Sequence, residues 1–440
     1  MGARLVPLFF PNRDEGFDIQ VDHLRNLLID EAIILDPVAL GEDLPEAEAV
    51  VFPQVLGDAY RMLEEFRALD RPILFITSEF GTMSMWDWEI GSYLASEGIT
   101  TIAPYSLEQA KTVCRALSSQ SQLHTTKFLA FQDNPGEGFQ PGIFKRFYWW
   151  ENEATQRMFD NFGITIEHRS FKKMGAEAKE ISNEAAEKVW NEWQDRLNIA
   201  EMPRQALLSA LKIYIRMKQE LDAEPNIGGI GINCLNESHY SDTTPCLAWN
   251  MLYEERGLIW GCEADTITML SKFILHKSLQ VPIMMTNLYP FLMGQAALKH
   301  ERIPNFPEVE ANPENHILVA HCGYLGVLPQ SFSTEWTLQT KVLGIVNDNA
   351  TAIDARLPIG EVTLAKLHAD FKTMTVAQGT LTGYAQFPGS DCVNGGIIRV
   401  NDGHKLMTSL ASHHYLLMTG HNLPAIRLMA KIFNFNIVEI

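Results

Sequence analysis

Short apolar runs alternate with amphipathic stretches over the first part of the chain. The runs at residues 5–10, 32–35, 49–52 and 72–77 predict buried strands. Between them, apolar residues recur at helical spacing in the segments 17–28, 62–68 and 107–117. Strands that alternate with helices in this way are typical of a parallel, doubly wound sheet. The turn-forming stretch 133–138 marks the end of this region.

A second alternating region follows. It contains predicted strands at 164–168, 227–234, 258–260 and 281–285, and predicted helices at 176–193, 205–221 and 247–253. The Gly-Gly-Ile-Gly run at 228–231 lacks the spacing of a dinucleotide-binding loop. We interpret it as a place where another element packs closely against the backbone.

The pattern changes after the proline-rich stretch 303–313. Residues 316–410 show short alternating segments separated by Gly and Pro turns, which indicates an antiparallel sheet or barrel. An amphipathic helix at 424–433 and a strand at 436–440 end the chain. The sequence therefore predicts an α/β fold with two Rossmann-like α/β domains, residues 1–133 and 134–300, followed by a β-rich C-terminal domain, residues 301–440.

Composition narrows the possible functions. The 440 residues carry a formal net charge of -19, which makes a nucleic-acid-binding surface unfavourable because phosphates would be repelled. The six cysteines include no Cys-x-x-Cys pair, which favours a reduced, cytoplasmic setting over a disulfide framework. The sequence contains no run of 18 apolar residues, and its start does not resemble a secretory signal, so we expect no membrane partner.

Two carboxylates, Glu263 and Asp265, stand at the exit of the buried strand 258–260. Burying carboxylates is unfavourable unless a cation or hydrogen-bond donors meet them. Parallel-sheet enzymes also place their sites where strands open onto a helix N-terminus. The alternative for Glu263 is a structural role as a helix N-cap or in an ion pair.

Four more side chains lie at or beside the ends of predicted strands. Asn287 follows the strand 281–285, His321 follows the run 317–320, and His413 and His414 are adjacent in the last third of the chain. Adjacent residues of a strand point to opposite faces, so only one of His413 and His414 can reach a common site. Singly, Asn287 could be a turn residue and His321 a structural histidine. Together, one carboxylate and two imidazoles form a plausible divalent-metal set beside a carboxylate base, which suits ketol isomerisation.

Several segments resemble the L-fucose/L-arabinose isomerase superfamily. The stretch GCEADTITMLSKFIL followed by VPIMMTNLYPF is similar to the family's first metal region, and ILVAHCGY to the segment that supplies a histidine of the arabinose type. The final SHHYLLMTGHNLPAIRLMAKIFNFNIVEI is similar to the family's C-terminal His-His block. Upstream, CLNESHYSDTTPCLAWNML and SEFGTMSMWDWE resemble a Cys-x-x-Glu run and an N-terminal loop with a Trp-Asp pair.

The resemblance implies roles for individual residues. Glu263 would be a metal ligand and the catalytic proton-transfer group, and His321 and His414 would be metal ligands for Mn2+, Mg2+ or another divalent ion. The substrate would be a small carbohydrate, in contact with Trp86, Glu237, Asp265 and His413. The resemblance also implies a homo-oligomer, a trimer or hexamer, in which a neighbouring subunit's N-terminal domain closes the site. The tryptophan itself has an alternative role as a core or interface residue.

Asn287 departs from the family pattern, because it stands where the second acidic ligand is expected. An amide can offer its oxygen to a metal but cannot act as a base at neutral pH. The sequence therefore leaves three functions open: a metal-dependent aldose–ketose isomerase, a metal-dependent epimerase or lyase that needs one carboxylate, and a sugar-binding protein without catalysis. Glu237 and Asp265 are the acids that could replace the missing one.

Overall fold

The computed structural model describes residues 2–133, 142–148, 150–291, 311–321, 324–386 and 394–440. The chain divides into two compact units. The first unit comprises Met1–Gln122, Lys277–Gln280 and Pro424–Phe435, and the second comprises Leu123–His276, Val281–Leu423 and Asn436–Ile440. The three-domain division at 133 and 300 remains a prediction. Most of the turn-rich stretch 133–138 and most of the proline-rich stretch 303–313 lie outside the described residues.

A parallel sheet forms the centre of the first unit. Its elements in chain order are β1 (Ala3–Phe9), α1 (Glu15–Leu27), β2 (Ala32–Ile34), β3 (Val38–Ala39), β4 (Ala49–Phe52), α2 (Leu63–Ala68), β5 (Ile73–Phe75), α3 (Asp87–Ser96), β6 (Thr101–Ile102) and α4 (Leu107–Leu123). The strands run in the order β2-β1-β4-β5-β6, with β3 beside β1. The core includes Phe52 and Phe66, whose rings stack with centroids 4.9 Å apart.

A second parallel sheet begins the second unit. Its elements are β7 (Lys127–Phe131), α5 (Phe144–Tyr148), α6 (Asn152–Phe162), β8 (Thr165–Arg169), α7 (Phe171–Glu180), α8 (Asn183–Trp193), α9 (Arg204–Ala223), β9 (Ile227–Ile232), α10 (Cys234–Ser241), α11 (Cys246–Arg256), β10 (Ile259–Cys262) and α12 (Thr266–Leu279). The strand order is β10-β9-β7-β8, and every pairing is parallel. The α/β alternation that the sequence predicts is therefore present in both sheets.

An antiparallel six-stranded barrel follows. The remaining elements are β11 (Ile283–Pro290), β12 (His316–Ala320), β13 (Glu335–Thr340), β14 (Thr351–Arg356), β15 (Gly360–Leu367), β16 (Thr373–Ala385), β17 (Gly395–Val400), α13 (Gly403–Thr408), β18 (His414–Thr419), α14 (Leu423–Phe433) and β19 (Asn436–Glu439). The barrel order is β15-β18-β11-β12-β17-β16, and pairing of β15 with β16 closes it. The strand β19 adds to β16 in parallel, and β13 pairs with β14. The prediction of a β-rich C-terminal region is confirmed. The strand predicted at 281–285 as part of the second α/β region is instead β11 of the barrel, because it pairs antiparallel with β12 and β18.

Two local predictions are wrong. The predicted single helix 176–193 is two helices, α7 and α8, because the Ser182 side chain accepts a hydrogen bond from Ala185 N and starts a new helix. Residues 406–408, in the region predicted to consist of short alternating strands, do not form a strand. They lie in the short helix α13, whose start is capped by the Asp402 side chain. In both places a local side-chain cap outweighs the periodicity.

The glycines of β9 and β10 let α12 approach the sheet. A methyl group on Gly231 would lie 2.7 Å from Met269 Sδ, and one on Gly261 would lie 2.3 Å from Met269 Cγ. These distances are shorter than van der Waals contact, so α12 can pack here only against bare backbone. The interpretation of the run 228–231 as a close-packing segment is confirmed.

Among the described residues, no helix combines the length and the apolar character that crossing a membrane requires.

Substitution of Gly261 by alanine tests this packing. We expect Gly261→Ala to lower the free energy of unfolding by about 1–3 kcal/mol, because overpacking a dense core has that effect. Urea denaturation measures the change. Gly383→Ala is the matched control, since a methyl group there meets no atom within 4 Å and should leave stability nearly unchanged. Equal stabilities of the two variants would contradict the close approach of α12.

Candidate metal centre

Strand register brings two histidines to one edge of the barrel. Asn287 on β11 lies opposite Ala320 on β12 and opposite His414 on β18. His321 directly follows Ala320, so it and His414 flank Asn287 from the two neighbouring strands. His321 and His414 are nearly a hundred positions apart in the sequence. They lie close together because β11 pairs with both β12 and β18.

Glu263 reaches the same place from the end of β10. It and Ala264 have left-handed backbone angles, with φ of 56° and 55°. The turn is held by three hydrogen bonds: Ala264 N donates to Ile232 O at 3.0 Å, Asp265 N donates to Cys262 O at 3.1 Å, and Trp150 Nε1 donates to Ala264 O at 2.7 Å. Backbone and indole donors thus fix the direction of the Glu263 side chain.

Glu263, His321 and His414 form a compact, buried cluster. Each offers one ligand atom, and these atoms lie within 4.8 Å of one another. His414 Nε2 is 3.8 Å from Glu263 Oε1, and the two imidazole rings are perpendicular with centroids 5.3 Å apart. Within the described residues, the Nε2 atoms of both histidines are buried without a hydrogen-bond partner. Such orphaned polar atoms are unfavourable, and a metal ion would satisfy both, so the cluster could hold one.

The histidines are neutral in this environment. Burial lowers the pKa of His321 to about 4 and lowers the pKa of His414 well below its ordinary value. A neutral imidazole keeps a lone pair for a metal, whereas a protonated one would repel it. The electrostatics of the site therefore suit a cation bound through nitrogen.

Asp265 orients His414. Its Oδ2 lies 2.8 Å from His414 Nδ1 and 3.5 Å from Lys366 Nζ, and its Oδ1 accepts from Thr268 N as an N-cap of α12. Burial alone would raise the pKa of Asp265, but Lys366 and the hydrogen bond with His414 hold that pKa below its usual range. The carboxylate fixes the proton on Nδ1 and leaves Nε2 directed towards Glu263, the usual arrangement around a metal-bound histidine.

Asn287 orients His321 in the same manner. Its Oδ1 lies 3.2 Å from His321 Nδ1, and its Nδ2 donates to Tyr289 Oη at 3.2 Å. Because an amide oxygen only accepts, His321 carries its proton on Nδ1 and leaves Nε2 available to a metal. Asn287 thus lies at the site, where its oxygen holds a histidine.

Tyr148 belongs to the site although the sequence analysis did not identify it. Its ring stacks on His414 with centroids 4.7 Å apart and 10° between the planes. Its hydroxyl donates to Glu263 and lies 3.4 Å from His413 Nε2. Burial, followed by the negative charge of Glu263, raises the pKa of Tyr148, so the phenol stays protonated.

The remaining predicted site residues lie in different places. His413 is beside the cluster, its ring 4.3 Å from that of His414, and burial lowers the pKa of His413 to about 4. Glu237 is in α10, where its Oε1 accepts from Asp133 N at 2.8 Å. Trp86 belongs to the first unit and is 62% exposed. Among the predicted substrate contacts, the structure therefore brings Asp265 and His413 to the cluster.

No protein-family model and no curated protein matches the chain. The resemblance to sugar isomerases therefore stays a prediction.

Alanine substitutions test the metal site. We expect Glu263→Ala and His414→Ala to lose a bound divalent ion, because each removes a ligand from a set of three. His321→Ala should weaken metal affinity by about 10-fold or more. Isothermal titration with Mn2+ after chelator treatment measures all three.

Glu153→Ala, at an exposed position, is the control and should bind like the wild type. Thermal melts with and without metal separate the two roles of His321. A variant that loses stability but keeps its metal affinity would show that His321 is structural, and full metal retention in Glu263→Ala and His414→Ala would refute the assignment of the cluster.

Proposed function

We propose that this protein is a divalent-metal-dependent aldose–ketose isomerase, or a close derivative, that acts on a small carbohydrate. The observation that carries the proposal is the cluster of Glu263, His321 and His414 with two buried, unpartnered imidazole nitrogens. A divalent ion held there would polarise neighbouring hydroxyl and carbonyl oxygens of a sugar. Mn2+ is our first choice of ion, with Mg2+ as the second, because the family resemblance implies them and the carboxylate of Glu263 suits both.

The chain's own residues can perform the proton transfer. Glu263 takes the proton from C2 of the open-chain sugar and returns it to C1, while the hydroxyl proton passes from O2 to O1, so that the carbonyl group moves from C1 to C2. Tyr148, protonated and hydrogen-bonded with Glu263, holds that carboxylate in place. Burial of the cluster keeps bulk water away from it, which strengthens the electrostatic interactions of the site.

The two parallel sheets support a finer description of the fold. The order β2-β1-β4-β5-β6 and the order β10-β9-β7-β8 each suit a Rossmann-like layer, and we propose that the chain contains two such domains before its barrel. This layout is the one that the resemblance to the L-fucose/L-arabinose isomerase superfamily implies. An experimental structure with another arrangement of helices about either sheet would refute it.

We also propose a homo-oligomer, a trimer or hexamer. In the first unit, large exposed side chains follow the carboxyl ends of three parallel strands: Leu56 after β4, Phe80, Met85 and Trp86 after β5, and Tyr105 after β6. The carboxyl ends of these neighbouring parallel strands lie at one edge of the sheet, and exposed apolar side chains there suit an interface with a second copy. Sedimentation equilibrium tests this, and a monomer at micromolar concentration would contradict it.

A cytoplasmic location completes the proposal. It rests on the six cysteines without a Cys-x-x-Cys pair, a composition that suits a reducing compartment. Fractionation of cells that express the tagged protein measures the location, and recovery outside the cytoplasm would refute it.

Hydrogen exchange at C2 is the most direct test of function. We expect the Mn2+-loaded protein to exchange this proton for deuterium in at least one pentose, hexose or acidic derivative and to interconvert aldose and ketose. NMR spectra taken after removal of Mn2+ by a chelator report both events. The Glu263→Ala variant is the control and should do neither.

The same screen separates the alternatives. Exchange with inversion at C2 indicates an epimerase, sugar fragments indicate a lyase, and saturable binding without exchange indicates a sugar-binding protein. Each of these outcomes would overturn the isomerase assignment.

Asn287→Asp tests the residue at which the chain departs from the family. We expect it to tighten Mn2+ binding, because a carboxylate at this position makes His321 a better ligand and adds a negative charge. In an isomerase of the ordinary type, turnover is preserved or raised. In a site built for a neutral amide, turnover falls, because the added carboxylate near Glu263 raises the pKa of one of the two acids.

Asn287→Ala is the matched control and should weaken Mn2+ binding, since it removes the hydrogen bond to His321. Equal Mn2+ affinities of the aspartate, alanine and wild-type proteins would refute the orienting role of Asn287.

A further inference from the structure

Two buried cysteines touch beside the candidate metal centre. The Sγ atoms of Cys234 and Cys262 are 3.4 Å apart, and the two residues are 3% and 2% exposed. Cys262 ends β10 and Cys234 begins α10, just beyond the end of β9. The strands pair in parallel with Ile232 opposite Cys262, which brings the two sulfurs together at one sheet edge.

The thiol pair adjoins one of the candidate ligands. Cys262 directly precedes Glu263 in the chain. The turn that directs Glu263 is also tied to the end of β9, since Ala264 N donates to Ile232 O. The thiol pair therefore lies at the two strand ends that also hold the turn of Glu263.

A small molecule can approach the pair from one side. Cys234 lines a largely apolar pocket together with Cys246, Leu343 and Val346. Hydrogen peroxide is little larger than water and uncharged, so it suits such a pocket better than a charged or bulky oxidant does.

We propose that Cys234 and Cys262 form a reversible oxidation site that takes hydrogen peroxide as its oxidant. Cys234 attacks the peroxide, so that a sulfur–oxygen bond forms, the oxygen–oxygen bond breaks and one water leaves. Cys262 then attacks that sulfur, the sulfur–sulfur bond forms, the sulfur–oxygen bond breaks and a second water leaves. The two thiols lose two electrons to peroxide, and both thiol protons end in water.

The disulfide has a consequence for the metal centre. A sulfur–sulfur bond is about 2.05 Å long, so the two sulfurs must approach by more than about 1 Å. Part of that movement displaces Cys262 and, with it, the adjacent Glu263. The carboxylate of Glu263 is then no longer aligned with the two histidine ligands. Oxidation therefore weakens metal binding, a step that rests on the metal centre of the proposed function.

Peptide mapping tests the oxidation site itself and requires neither metal nor sugar. The folded wild-type protein is treated with hydrogen peroxide, blocked with iodoacetamide and digested without reductant. We expect a cross-linked pair of peptides that contain Cys234 and Cys262, and its disappearance after dithiothreitol. A disulfide with another cysteine, or none under a peroxide excess that fully oxidises glutathione, overturns the proposal.

Single variants give the matched controls. Cys234→Ser and Cys262→Ser should lack the cross-link, whereas Cys114→Ser, a buried cysteine in the first unit, should keep it. Cross-linking of the wild type remains informative even if a serine variant does not fold.

Manganese titration of reduced, oxidised and re-reduced wild-type protein tests the coupling. We expect oxidation to weaken affinity by about 10-fold or more and re-reduction to restore it, as loss of a supporting contact does. An unchanged affinity in cross-linked protein overturns the coupling to the metal. Absence of manganese binding in the reduced protein refutes the proposed function instead, while the peptide map still decides the oxidation site.

Discussion

The site depends on the carboxylate of Asp265, which is buried completely. It caps the first turn of α12, holds His414 on β18 and lies beside Lys366 on β15, so one side chain joins the parallel sheet region to the barrel. An isolated buried charge would be strongly unfavourable, and this one is stabilised because a cation and two hydrogen bonds meet it. Removal of the carboxylate would leave Lys366, whose pKa is lowered by burial, without a counter-charge, and would leave His414 without the hydrogen bond that orients it.

The balance of charges among the buried side chains also determines which ions and ligands the site can bind. The charge of Asp265 is balanced by Lys366, and the two histidines are neutral, so Glu263 supplies the ligand set with one negative charge. At the position where the family resemblance implies a second carboxylate, Asn287 contributes an oxygen that accepts a hydrogen bond from His321. A divalent ion at this site would keep a net positive charge, which favours ligands that can place an oxygen anion on it.

The sequence predicts the parts of the site that lie at strand ends. The sequence predicts Glu263 and His414 because each is a polar residue next to an apolar run, and both are buried in the structure. The same pattern does not predict Tyr148 or Lys366. Tyr148 is an aromatic residue in an aromatic run, and Lys366 is a lysine among apolar strand residues. Their roles follow from contacts with residues far away in the chain. Likewise, nothing in the periodicity of 281–290 distinguishes a barrel strand from a parallel one.

The turn at Glu263 and Ala264 lowers the stability of the fold but carries the carboxylate that the site needs. Two consecutive residues with side chains have left-handed backbone angles, a conformation that is unfavourable by about 1 kcal/mol or more at each. Glycine at either position would relieve that strain, so selection for thermal stability alone would tend to remove the carboxylate or to loosen the turn behind it. Among variants of this protein, glutamate retained at 263 without glycine at 264 would therefore indicate selection for the site. Glycine at either position would indicate that this selection has ended.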